Sequence, residues 1–339
     1  MQKFRIIKNE LNVYKQQIFE FWRKYLPGTP KGRFEWMQNN PAGPPDWSFA
    51  VEEKSGELAG IVSIMPKRVF INGKTIIKAG IVGDFMVSSR YRVFGPFLQL
   101  QNTVVENYSN LGYQFIYTIP NKDTIKIIQR AGYKPIGVLY NMAKPIKVKY
   151  YLKRHILSPP SELFVPFIQL CLKIISRETY SLTDGLIEEE HSIDESFDVF
   201  WEKIKSNKPC IISDRSSEYI KWRYFQNPTY KFRLLAYRET PGGELRGYIF
   251  FTIDCNKMEV FDIIALQRGH VYRLLKRLVG IAKEENCQAI YIQINHANSL
   301  LKLLRSCRFF NAKNDFVVFC PKNEAYLESW SFFSGDRNI

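Results

Sequence analysis

Apolar and polar residues alternate over Phe4 to Ile7, which predicts a short strand. Glu10 to Tyr25 then carries its apolar residues at helical spacing until Pro27-Gly28 stops the run. Trp47 to Val51 alternates again. Two longer strand-like runs, Leu58 to Phe70 and Thr75 to Val87, meet at Asn72-Gly73, a hairpin signal because both residue types tolerate positive φ. Pro96 to Leu111 places Phe97, Leu100, Val104, Tyr108 and Leu111 on one helical face. Phe115 to Ile119 reads as a buried strand, Lys122 to Ala131 as a helix and Ile136 to Tyr140 as a strand. An antiparallel meander feeding a strand–helix–strand unit predicts an α/β fold, a mixed sheet flanked by helices.

The pattern then returns. GRFEWMQNNP (Gly32 to Pro41), an apolar run and ELAGIVSI (Glu57 to Ile64) are matched by SEYIKWRYFQNP (Ser217 to Pro228), an apolar run and ELRGYIFF (Glu244 to Phe251). Asn40 and Asn227, Glu57 and Glu244, and Gly60 and Gly247 share one offset of 187 residues. Trp36 and Trp222 differ from that offset by a single residue, and IKIIQRAGY (from Ile125) is echoed by LKLLRSCRF (from Leu301). Ordered agreement at three motifs predicts a tandem duplication. The domains expected are 1–147 and 186–339, joined by a basic and apolar linker with a helix over 148–185.

Composition narrows the chemistry. Of the net charge of +15, the first 150 residues hold +12, from 22 Lys and Arg against 10 Asp and Glu. A basic field of this kind attracts polyanions, whether nucleic acid, anionic lipid or a phosphorylated cofactor. The six cysteines all lie in the second half without a CxxC pair, and the four histidines form no HxxxH or HExxH. Neither a metal site nor a disulfide framework is expected. The longest apolar run, Leu163 to Ile175, is too short to span a bilayer, which takes about 20 residues, and the first residues have no apolar signal core. A cytoplasmic protein is expected.

The segment VSSRYRVFGPFLQL (Val87 to Leu100) is a strand end, a turn with two arginines and a glycine, and a helix opening at Pro96. Proline suits a first helical turn, and the free amides there with the helix dipole make an anion site. Arg92-Val93-Phe94-Gly95-Pro96-Phe97 resembles the pyrophosphate signature Q/R-x-x-G-x-G/A of the GNAT (Gcn5-related N-acetyltransferase) superfamily, with Phe97 departing from the small last residue. Pro120-Asn121 through Gly132-Tyr133 resembles the family's later Asn–helix–Gly–aromatic pattern. The resemblance covers residues 3–145 and implies two tandem GNAT-like domains, the second degenerate. It implies that amides from Arg92 to Phe97 hold the pyrophosphate of acetyl-CoA or another acyl-CoA. The main chain at Met86 and Val87 would hold the pantetheine, with Asn121 near the thioester.

By the same resemblance Asp84 would be the catalytic base. The family's acidic tyrosine falls at Ile128, so Tyr117 on the neighbouring strand is the candidate replacement. The second half enters its helix at ALQRGHVYRLLKRL (Ala265 to Leu278) with one glycine, Gly269, and no R-x-x-G spacing, while Asp262 repeats Asp84 in placement.

The resemblance implies an acyl-CoA-dependent N-acyltransferase acting on an amine of a small molecule or an amino sugar. Two alternatives stay open: a Fem-type transferase using aminoacyl-tRNA, and a non-catalytic protein that kept the fold. Apart from tRNA in the first of these, nucleic acid is not an expected partner, since no helix-turn-helix, zinc finger or base-stacking motif is present. The basic run Lys144 to Arg154 and the apolar helix after it leave two readings: packing between the domains, or contact with an anionic membrane surface.

Overall fold

The computed structural model of the chain describes residues 3–91, 95–149, 165–182, 185–206, 211–312, 316–321 and 330–337. Its first half runs β1 (Phe4–Lys8), α1 (Leu11–Tyr25), α2 (Arg33–Gln38), β2 (Asp46–Glu52), β3 (Leu58–Ile71), β4 (Thr75–Val87), α3 (Pro96–Asn107), β5 (Phe115–Tyr117), α4 (Ile125–Arg130) and β6 (Lys134–Pro145). Asn72 and Gly73 both take positive φ, 53° and 67°, as the turn from β3 into β4 requires. The sheet order is β1-β2-β3-β4-β5, antiparallel as far as β4 and parallel between β4 and β5.

The second half repeats this order. It comprises α5 (Val165–Ile175), β7 (Leu186–Glu190), α6 (Ser196–Ser206), β8 (Ile211–Ser213), α7 (Ser217–Ile220, continued by a π turn over Lys221–Phe225), β9 (Arg233–Arg238), β10 (Leu245–Asp254), β11 (Lys257–Ala265), α8 (Arg268–Glu284), β12 (Ala289–Asn295), α9 (Leu300–Ser306), β13 (Phe310–Asn311), β14 (Phe316–Cys320) and β15 (Trp330–Ser331). Its sheet runs β7-β9-β10-β11-β12, again antiparallel until the parallel last pair.

The shared glycine has one physical cause in both halves. A Cβ on Gly60 would lie 3.0 Å from Met86 O and 3.1 Å from Leu100 Cδ1; a Cβ on Gly247 would lie 2.9 Å from Ile264 O and 3.0 Å from Leu274 Cδ1. In each case glycine lets a leucine of the following helix, α3 or α8, press directly onto the sheet.

The halves meet at the repeated tryptophans. Trp36 and Trp222 stack with centroids 4.6 Å apart and planes 4° from parallel. Each indole N–H donates to the other residue's carbonyl oxygen, at 2.8 and 2.7 Å. Two buried indoles thus satisfy their polar edges reciprocally while filling the junction.

Sheet membership does not follow the halves. β6 pairs along its length with β12, from Pro145 opposite Ala289 to Leu139 opposite Asn295. β14 lies antiparallel to β6 on one side and exchanges two main-chain hydrogen bonds with Thr118, through Phe319, on the other. β8 joins the edge of β3, and β15 runs parallel to β8. Trp330 and Phe332 therefore sit in the same buried cluster as Trp36, Trp47, Phe115 and Tyr117. Full burial of one such ring contributes about 1.5–3 kcal/mol, so the tail is a working part of the first-half core. No helix of the described residues is long and apolar enough to cross a membrane.

Candidate active site

β4 and β5 pair only from Ala79–Phe115 to Ile81–Tyr117. Beyond this point β5 turns away to β14 while β4 continues, paired with β3 alone. The wedge so opened leads to a cavity of about 580 Å³, lined by β4 from Ile81 to Met86, by Ile119 and Asn121, and by the α1–α2 connection from Tyr25 to Pro30.

A bulge shapes the β4 wall. Ile61 pairs with Met86 but Ser63 with Gly83, so β4 carries one extra residue there. Asp84 takes φ 46° at this step, a conformation uncommon for residues other than glycine. Its side chain holds the bend: Trp22 Nε1 donates to Oδ1 at 3.1 Å, Ser63 Oγ to Oδ2 at 3.1 Å, and Arg33 Nη2 lies 3.0 Å from Oδ1. The Arg33 guanidinium is itself buried over the Trp22 ring, with Nε and Nη1 lacking acceptors among the described residues. A carboxylate offers roughly four acceptor positions, and three donors already use those of Asp84.

Tyr25, at the C-terminal end of α1, borders the same cavity. Its hydroxyl oxygen accepts the Ser89 amide at 3.1 Å, just past the end of β4. Burial raises this phenol, but hydrogen bonds from Ser88, Ser89 and Lys24 outweigh it and bring the pKa down to about 8. Neither Tyr25 nor Arg33 was singled out from sequence. Arg33 lies within a repeated segment, the one signal available; Tyr25 carries none.

The residues expected from sequence are only partly brought together. Asp84, Met86 and Asn121 line the cavity. Val87 pairs with Gly60 and is buried, its side chain packing over that glycine. Asn121 Oδ1 accepts from the Thr124 amide at 3.0 Å and the Thr124 hydroxyl at 2.9 Å, which closes the turn leading into α4. Gly95 has φ 89° and stands exposed before α3, with Pro96 opening the helix. Phe97 packs its ring on Phe85, fastening α3 to the β4 wall. Arg92, Val93 and Phe94 lie outside the described residues.

Tyr117 is elsewhere. It is fully buried, its hydroxyl donates to Asp336 O at 2.7 Å, and Trp330 and Phe332 pack edge-on against its ring. Burial pushes this phenol well above its ordinary value. It joins the tail to the core and is not among the residues lining the cavity.

Residues 12–136, which contain every wall of this cavity except Thr229 and Arg337, match the family model described as an acetyltransferase (GNAT) domain. The chain carries a GNAT domain. No curated protein matches the chain by sequence. Among solved structures the chain is similar to a conserved protein from Enterococcus faecalis V583 described as a "Probable N-Acyltransferase", with TM-score 0.69, 11% identity, and coverage of 94% of this chain and 72% of that one. It is also similar to a GCN5-related N-acetyltransferase from Anabaena variabilis ATCC 29413, with TM-score 0.64, 12% identity and coverage of 94% and 72%. Saccharomyces cerevisiae N-myristoyltransferase with bound myristoyl-CoA gives TM-score 0.57, 10% identity and coverage of 94% and 83%. Each likeness spans both halves and shows the fold: two GNAT-like domains in tandem.

The second GNAT-like domain has a wedge of its own, and it is filled. β11 and β12 pair from Lys257–Ala289 to Val260–Ile292 and then part. The chain's own tail enters the gap. Phe333 bridges to Ile294, Arg337 Nη1 donates to Gln293 Oε1 at 2.6 Å, and Gly335 sits so close that a Cβ would meet Tyr224 Oη at 2.2 Å and Phe261 O at 3.0 Å. Arg215, fully buried, bridges Asp262 of β11 and Asp336 of the tail, its Nη2 3.0 Å from Asp336 Oδ2. Asp262, expected as the counterpart of Asp84, is thus tied into the plug that fills its wedge.

Proposed function

We propose that the protein is an acyl-CoA-dependent N-acyltransferase whose cofactor lies in the first-half wedge and whose acceptor amine enters the adjoining cavity. One observation carries this reading: of two wedges built on the same topology, the first opens onto a cavity and the second is occupied by the chain's own tail. The paired segments and the reciprocal tryptophans support descent of both halves from one duplicated domain. Acetyl-CoA is the simplest donor, and a small molecule or amino sugar is the acceptor class in keeping with a cavity of about 580 Å³.

The chemistry follows from the wall. β4, open on the side that β5 leaves, offers main-chain groups to the pantetheine amides, and a main-chain amide near the bulge can take the oxyanion formed when the amine attacks the thioester carbonyl. The C–N bond forms, the C–S bond breaks, the ammonium loses its proton to solvent and the departing thiolate takes one. In this reading Asp84 serves by fixing the bulge and Arg33, rather than as the base first expected. Tyr25 is the proton donor to sulfur, the role first expected of Tyr117.

The test is release of free thiol from acetyl-CoA in the presence of candidate amines. The rate should climb as the amine deprotonates and fall above pH about 8, where Tyr25 loses its proton. Tyr25→Phe should lower kcat by about 10²-fold and remove the alkaline fall. An alkaline limb unchanged in Tyr25→Phe would take the donor role away from this residue.

A further inference from the structure

From Val165 to Ile175 the apolar run forms α5, and it does not pack between the halves. None of its residues is buried, and Phe167, Leu170 and Ile174 are 65%, 54% and 52% exposed. Their spacing puts them on one face of the helix. We propose that α5 is an interfacial helix that seats this face of the protein on an anionic lipid surface.

The main chain at the end of the helix is prepared for a medium without water. The last-turn carbonyls have partners: Thr179 Oγ1 donates to Lys173 O at 3.0 Å, Tyr180 Oη to Ile174 O, and Arg308 Nε to Ile175 O at 3.1 Å. What that end of the helix presents outward is therefore apolar side chain, not unsatisfied peptide.

The rim supplies the sign of the partner. A hollow of about 510 Å³ beside α5 is lined by Leu170 and Val279 together with Lys173, Lys276 and Lys283. Glu178 is the one acid among its described lining residues, and it is buried and spent on Lys144 at 2.8 Å. Apolar residues ringed by lysines match the boundary between acyl chains and anionic headgroups. A second copy of the chain is the poorer occupant, because a symmetric contact would set lysine rim against lysine rim. The inference stands apart from the acyl-transfer reading, since α5 belongs to neither wedge.

The test is co-sedimentation of the full chain with vesicles of phosphatidylcholine alone, or mixed with phosphatidylglycerol, at physiological and at higher salt. Binding is expected to the mixed vesicles only, weakened by salt. Lys173→Gln with Lys283→Gln should lower it about thirtyfold, at the usual worth of a basic residue near such a surface. Phe167→Asp with Leu170→Asp should abolish it while the unfolding midpoint stays at the wild-type value, these side chains being exposed. No binding to the mixed vesicles, or binding that neither pair of changes weakens, would overturn the proposal. So would self-association of the chain that Phe167→Asp with Leu170→Asp abolishes in the absence of vesicle binding.

Discussion

Asp336→Ala is expected to destabilise the protein by about 3–5 kcal/mol, the usual result of removing one partner from a buried ion cluster. Asp336 is fully buried between Arg215, with Nη2 3.0 Å from Oδ2, and Lys67, with Nζ 3.9 Å from Oδ1. Without the carboxylate, Arg215 and Lys67 would lose a buried counterion in the junction of the halves, where Arg223 adds further positive charge. The same substitution removes the acceptor for the Phe333 amide at 3.1 Å, which helps hold the tail in the second wedge. Urea unfolding should show a lower midpoint, and a shift below 1 kcal/mol would mean that the tail is not a structural plug. The effect should also depend on pH with a definite sign. Burial alone would raise the Asp336 carboxyl, yet Arg215 and Lys67 hold it below the usual carboxylate range. A depressed pKa gives stability that is present above the unfolded-state value and lost as pH falls through the folded one. The gap between wild type and Asp336→Ala should therefore narrow below pH about 4.

The second large effect concerns the cofactor. Gly95→Glu is expected to weaken CoA binding by at least about a hundredfold, because a carboxylate set against phosphates costs several kcal/mol. Gly95 precedes α3, where the first-turn amides have no side-chain cap, and a Cβ there meets nothing within 4 Å. The new side chain would therefore stand in open space at the positive end of the helix. Its φ of 89° makes any substitution strained, so Gly95→Asn is the control, since Asn visits that region more readily. By calorimetry the Asn variant should stay within a few-fold of wild type and the Glu variant should not. Equal losses would trace the effect to backbone strain instead of charge.

These expectations show where sequence sufficed. Gly60 and Gly247 were legible as a repeat because one packing event, a leucine pressed on the sheet, demands glycine in both places. Asn72-Gly73 was legible because the turn dictates its φ angles. The placement of β6 was not. Its apolar pattern would suit a neighbour in either sheet, and only the whole fold puts Leu139 opposite Asn295. Tyr117 read as a strand tyrosine next to the site, but what covers it, Trp330 and Phe332, comes from more than 200 residues away. Arg33 as the partner of Asp84 was equally hidden, since the left-handed step that joins them exists only once the bulge has formed. The absence of a phosphate-loop spacing around Gly269 pointed to a degenerate second half, while the tail that fills its wedge gave no sign of doing so in the sequence.

The central claim is that one wedge is open to an acyl-CoA and the other is closed by the chain itself. Hydrogen exchange of the full chain with and without CoA tests it most directly. The account predicts slower exchange on CoA binding at the β4 amides of residues 82–87 and in the first turn of α3, with no change over residues 260–265 or 333–337. Protection confined to β11 and the tail, or no CoA-dependent protection anywhere, would contradict it.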